Sequence, residues 1–135
     1  MEAHDEFILV SAPNKTGGQF IKTLQIKKML FAAITNNDTE RSRLVHLGVK
    51  NILSVDTTDR ETWLIPELPV GKVFLFELSL PLICRYIQIC RSWTDKSIYV
   101  ITGSSNARMV YKGLGANYVI HTQSDDVSFL LDKEG

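Results

Sequence analysis

Charge of one sign is missing from this chain: 15 lysines and arginines face 15 aspartates and glutamates, for a formal net charge of zero. A one-sided field is what draws a protein onto nucleic acid or anionic lipid, so its absence argues against nucleic acid as a partner. Cysteine is nearly absent as well. Cys84 and Cys90 lie in one expected helix at a spacing that fits neither a CxxC redox pair nor a zinc knuckle, and a disulfide across it would need distorted geometry. Both read as buried reduced thiols; with no secretory leader pattern, they lead to the expectation of a cytoplasmic protein. Long apolar runs are lacking too. The most apolar stretch, residues 74–89, is broken by Glu77, Arg85 and Gln88, which excludes a membrane span there. Histidines are few and scattered (His4, His46, His121) and give no metal-ligand spacing.

What is present suits one globular domain over residues 1–135, with a polar leader at 1–6 expected to be flexible. Hydrophobic residues make up 44% of the 135 and charged residues 22%, near the globular average. Short apolar runs at 7–10, 29–34, 51–55, 73–76, 97–101 and 118–120 are bounded by turn residues, as buried parallel strands are. Between them, helical patterns are expected from Gly17 to the Lys27-Lys28 pair, from Asp38 or Thr39 to Leu47, and from about Thr58. Others are expected over 80–93, 104–114 and 125–133. Strands alternating with helices in this way predict an open, doubly wound, mostly parallel six-stranded sheet between two helical layers, a Rossmann-like αβα architecture.

In such a sheet ligands bind beyond the carboxyl ends of the strands, where the chain order reverses. The loop 11–18 is the first place to look. A helix starting near Gly17 would present amides to a phosphate, with Gly17 and Gly18 allowing close approach and Lys15 and Thr16 adding a charge and a hydroxyl. A dinucleotide-binding G-x-G-x-x-G would put glycine where Ser11 or Pro13 stands, and a Walker A loop would need its lysine after the glycines. The alternative is a tight turn that needs glycine only for packing. At the end of the second strand Asn36 can bond a ribose hydroxyl without repelling a 2′-phosphate, so NAD and NADP both remain open. Arg41 and Arg43 are expected to face solvent. Asp56 after the third strand and Thr102 after the fifth are each either a ligand contact or a helix cap. Catalytic combinations are thin: Tyr111 and Lys112 are adjacent, so their side chains diverge by about 100° on a helix, and a serine–tyrosine–lysine arrangement with Ser104 or Ser105 does not assemble.

Two resemblances follow from these residues. Segment 8–20 (ILVSAPNKTGGQF) resembles the opening of NmrA-like atypical short-chain dehydrogenases, close to G-A-T-G-x-T-G-G. Lys15, Thr16, Gly17 and Gly18 match, while Ser11 and Asn14 replace two glycines. From 34 to 120 the chain resembles the N-terminal lobe of RCK domains, nucleotide-sensing regulators of potassium channels and transporters. The shared stretches are NDTER at 37–41, VKNILSVDTTD at 49–59, NAR at 106–108 and LGANYVI at 114–120. RCK lobes usually carry an acidic residue where Asn36 stands; Asp56 matches the aspartate after the third strand in both families.

The resemblances imply a nucleotide site at one sheet edge, made from Ser11, Asn14, Lys15, Thr16, Gly17, Gly18, Asn36, Asp56 and Thr102, with NAD or NADP as cofactor. Three functions compete. The first is a nucleotide-binding or sensing module acting through a protein partner or as a homodimer. The second is a small NAD(P)H-dependent oxidoreductase, and the third is a degenerate scaffold serving as an adaptor through apolar residues such as Trp63, Leu64 and Ile65 or segment 129–131.

Overall fold

The computed structural model describes residues 5–104, 107–123 and 126–132. His4 and the rest of 1–4, Ser105 and Asn106, and the ends of the expected last helix (Asp125, Lys133) lie outside the described residues.

Six strands form one sheet: β1 (Phe7–Ser11), β2 (Phe31–Thr35), β3 (Ile52–Ser54), β4 (Val70–Phe76), β5 (Ile98–Thr102) and β6 (Tyr118–His121). Their spatial order is β3-β2-β1-β4-β5-β6, and each neighbouring pair is parallel. The helices are α1 (Lys15–Ile26), α2 (Asp38–His46), α3 (Leu80–Trp93), α4 (Arg108–Leu114) and α5 (Phe129–Asp132).

The strands lack polar alternation because both sheet faces are covered. In β1, Leu9 joins a core with Ile83, Ile87 and Tyr111 of α3 and α4. Its neighbour Val10 points the other way and joins Phe20, Ile21 and Leu24 of α1, Leu44 of α2 and Leu130 of α5. That second face carries an aromatic row across three strands: Phe74 stacks on Tyr99 at 4.6 Å between centroids, and Tyr99 on Tyr118 at 4.9 Å. These are register partners, the geometry in which cross-strand pairs stabilise a sheet.

One expected element is absent. The acidic start at Asp56 gives no α-helix; the β3–β4 connection holds only a 3₁₀ turn (Arg60–Thr62). Asp56 Oδ1 accepts from the Thr58 amide and hydroxyl, and Asp59 Oδ1 accepts from the Glu61 amide, so both carboxylates stabilise local turns in place of a helix end. Pro66 and Pro69 then prevent a helix from propagating. Trp63 and Leu68 of this connection pack against the core. Leu64 and Ile65 beside them are exposed, whereas Leu130 and Leu131 are buried.

Cys90 is fully buried, and burial pushes its thiol up to about 12; the half-buried Cys84 is raised for the same reason. Both are neutral thiols at neutral pH, and the thiolate is the nucleophile. A maleimide is therefore expected to label Cys84 slowly and Cys90 only on unfolding; prompt labelling of Cys90 in the native protein would contradict this packing.

Candidate functional site

With every strand parallel, Ser11, Thr35, Asp56, Glu77, Thr102 and His121 all fall at one edge of the sheet. β1 and β4 sit side by side at its centre, and the chain winds outward from each in opposite directions. The crevice between the loops following them is the switch point of a doubly wound sheet. Here the two loops are tied together: Asn14 Nδ2 donates to the Glu77 carbonyl at 2.9 Å.

Helix α1 begins two residues earlier than expected because Asn14 caps it. Asn14 Oδ1 accepts from the Gly17 amide at 2.8 Å, and the Asn14 carbonyl accepts from Gly18. Asn14 thus engages the amides of both Gly17 and Gly18. The two glycines also part company. A Cβ on Gly17 would lie 2.7 Å from Ala12 Cα, whereas one on Gly18 would have only Arg43 Nη1, at 3.8 Å. Gly17 is thus a glycine of close helix–strand packing, as the packing alternative expects, and it takes the position that the third glycine holds in a dinucleotide fingerprint. Counting back from it places the two missing glycines at Ala12 and Asn14, which corrects the expectation of Ser11 or Pro13. Ser11 is buried at the end of β1, and Lys15 is exposed.

On the outer half of the edge, Thr35 is buried and its hydroxyl bonds to Asn37, while Asn36 is exposed and its Oδ1 accepts from Asn37 Nδ2. Asn37 caps α2, its Oδ1 accepting from the Glu40 amide, where Asp38 or Thr39 was the expected cap. Arg43, expected to face solvent, does so only in part: its side chain is 40% exposed. Its guanidinium reaches back 31 residues to the Ala12 carbonyl and pairs with Glu40 at 2.9 Å; that hydrogen bond and charge raise its pKa further. Arg41, though exposed, folds onto Ser54 Oγ at 2.7 Å. Asp56 is exposed, and its bonds from Thr58 hold its carboxyl below the usual carboxylate range.

On the inner half, a cavity of about 240 Å³ opens over β4, β5 and β6, with Asn14, Thr16, Glu77, Thr102 and Gln123 in its wall. Glu77 organises it. Thr102 Oγ1 lies 2.6 Å from Glu77 Oε1 and 2.7 Å from the Ser104 carbonyl, its one proton serving either. The buried Tyr111 hydroxyl donates to Glu77 Oε2, and burial together with that carboxylate raises the phenol's pKa. Tyr111 is therefore engaged inside the fold. Glu77 escaped the sequence reading, where it served only to interrupt an apolar run. The signal was available, since it follows a buried strand just as Asp56 does.

Other cavities lie elsewhere, among them one of about 260 Å³ beside Gln19 and Thr23. One of about 370 Å³, with Lys28 and Lys50 in its wall, is at the amino ends of the strands, and one of about 420 Å³ lies beside Arg60, Trp63 and Arg85. Among the described residues no group of three or more His, Cys, Asp or Glu is placed to hold a metal, and no helix is long and apolar enough to cross a membrane.

The strand order, the tight glycine at the start of α1 and the polar crevice at the switch point define an α/β domain of the Rossmann type. No protein-family model and no curated protein matches the chain. Solved structures do. The GsuK RCK domain superposes with a TM-score of 0.70 at 17% identity over 89% of this chain, and the GsuK channel bound to NAD with 0.67 at 19% over the same share. The chain spans 26% and 22% of those two chains. The NAD(P)-binding domain of an exopolyphosphatase-related protein from Archaeoglobus fulgidus gives 0.69 at 19% identity, covering 97% of this chain and 98% of that one. The TrkA-N domain of the inner membrane protein YbaL from Escherichia coli gives 0.68 at 14%, with both chains covered in full. The chain has the fold of RCK and TrkA-N domains; the resemblance of its glycine loop to NmrA-like dehydrogenases is not confirmed by these structures.

Proposed function

We propose that this chain is a nucleotide-binding module that takes NAD, NADP or an adenine nucleotide across the carboxyl edge of its sheet. It then signals occupancy to a partner or a second copy of itself, as a regulatory domain of the cytoplasm. The observation that carries the reading is the switch-point crevice, where Gly17 brings the start of α1 against β1 and a polar cavity opens beside it. The residues fit a dinucleotide in outline. Lys15 and Thr16 stand at the diphosphate position, Asn36 and Asp56 on the adenosine side, and Asn14, Glu77 and Thr102 around the second nucleoside. That one similar structure is a channel bound to NAD and another an NAD(P)-binding domain supports the choice of ligand.

Isothermal titration with NAD(H), NADP(H), ATP and AMP tests this; binding of at least one is expected, and silence from all would overturn it. A second reading, the ligand-free adaptor, is favoured by the Asn14 side chain occupying the Gly17 amide and by Leu64 and Ile65 standing 76% and 72% exposed. Replacing Asn14 by glycine discriminates the two. For a nucleotide module, whose crevice Asn14 lines, it is expected to change the affinity; for an adaptor it leaves titrations silent.

A further inference from the structure

Among the described residues lining the switch-point cavity, Glu77 alone carries a formal charge, beside polar neighbours such as Asn14, Thr16, Thr102, Thr122 and Gln123. The carboxylate is not a loose surface group. Tyr111 donates to one oxygen from inside the core, and Thr102, buried at the end of β5, stands against the other. The glutamate backbone is tied in turn to Asn14 at the head of α1. Such a fixed charge acts on whatever occupies the cavity without first having to reorganise.

We propose that Glu77 makes the inner cavity selective for a cationic ring, so that the site prefers the oxidised, pyridinium form of the nicotinamide cofactor to the reduced form. This rests on the nucleotide reading above. In a doubly wound sheet each half holds one nucleoside. The outer half, with Asn36 and Asp56, suits adenosine, which leaves the second nucleoside over β4 and β5, where Glu77 stands. Oxidised and reduced cofactor are nearly the same in size and hydrogen bonding, but the oxidised ring carries one more positive charge. A neutral cavity would scarcely distinguish them, whereas a fixed carboxylate a few ångströms away attracts only the cation. A phosphate in the same cavity would be repelled, which also assigns the diphosphate to the α1 turn.

The test compares NAD⁺, NADH and ADP-ribose by isothermal titration on the wild type and on Glu77→Gln, with thermal melts to establish that both are folded. NAD⁺ is expected to bind on the order of tenfold more tightly than NADH, with the ratio falling towards unity in Glu77→Gln while ADP-ribose affinity changes little. Glutamine keeps an acceptor for Tyr111 and can donate to Thr102, whose proton then goes to the Ser104 carbonyl, so a merely structural glutamate would leave the ratio unmoved. Equal binding of NAD⁺ and NADH to the wild type overturns this inference and leaves the nucleotide reading standing, as does a ratio that survives in Glu77→Gln. Silence from all three ligands overturns both. Should Glu77→Gln fail to fold, Glu77→Asp replaces it, and the ratio is then expected to shrink as the charge withdraws by one methylene.

Discussion

Alanine at Gly17 is expected to destabilise the protein by about 1–3 kcal/mol, the usual cost of forcing an extra methyl into a filled space. The methyl would stand 2.7 Å from both Cα and Cβ of Ala12, and Ala12 is itself buried at the end of β1. Neither atom is the end of a flexible side chain, so relief requires α1 to move away from the sheet. That movement would loosen Phe20, Ile21 and Leu24 from their core and shift the α1 turn away from the crevice. Gly18→Ala is the control. Its methyl meets nothing nearer than Arg43 Nη1 at 3.8 Å, and alanine is better than glycine inside a helix by about 0.5–1 kcal/mol. One neighbour is therefore expected to lose stability and the other to hold or gain it in urea denaturation. Equal effects at the two sites would remove the close-packing account of Gly17.

Tyr111→Phe is expected to cost about 1.5–3 kcal/mol, the range for a hydrogen bond to a charged partner. The ring stays in place within the core, and only the hydroxyl that donates to Glu77 Oε2 is lost. Among the described residues the carboxylate then keeps Thr102, whose single proton is shared with the Ser104 carbonyl. A double-mutant cycle with Glu77→Gln isolates the pair, and a coupling of about 0.5–3 kcal/mol is expected for groups in direct contact. Coupling near zero would mean that Tyr111 stabilises the fold through its ring alone. It would also weaken the case that Glu77 is held rigidly enough to discriminate ligand charge.

The connection after β3 shows where local pattern misleads. Asp56, Thr58, Asp59 and Glu61 form a sequence that starts many helices, and the same residues equally form turns, since a short carboxylate bonds whichever amide comes near. Pro66 and Pro69 tip the balance, but only the indole of Trp63, which donates to the Asp56 carbonyl and packs against the core, fixes where the chain runs. The α1 start was misjudged for a related reason. Asn14 reads as a loop residue until its side chain is seen closing back on the Gly17 amide.

The amino-acid sequence by itself determined the alternation of buried strands and helices, and through it a parallel sheet with its loops gathered at one edge. Those features follow from periodicity and turn chemistry, which act over a few residues. Whether Gly17 serves a ligand or Ala12, whether Arg43 faces water or the glycine loop 31 residues away, and whether Glu77 merely interrupts an apolar run or anchors a cavity were decided by tertiary structure alone. The last two depend on contacts between residues 31 and 25 apart along the chain, and the first on how closely α1 packs onto the end of β1. Short-range pattern carries no record of which distant group completes the bond.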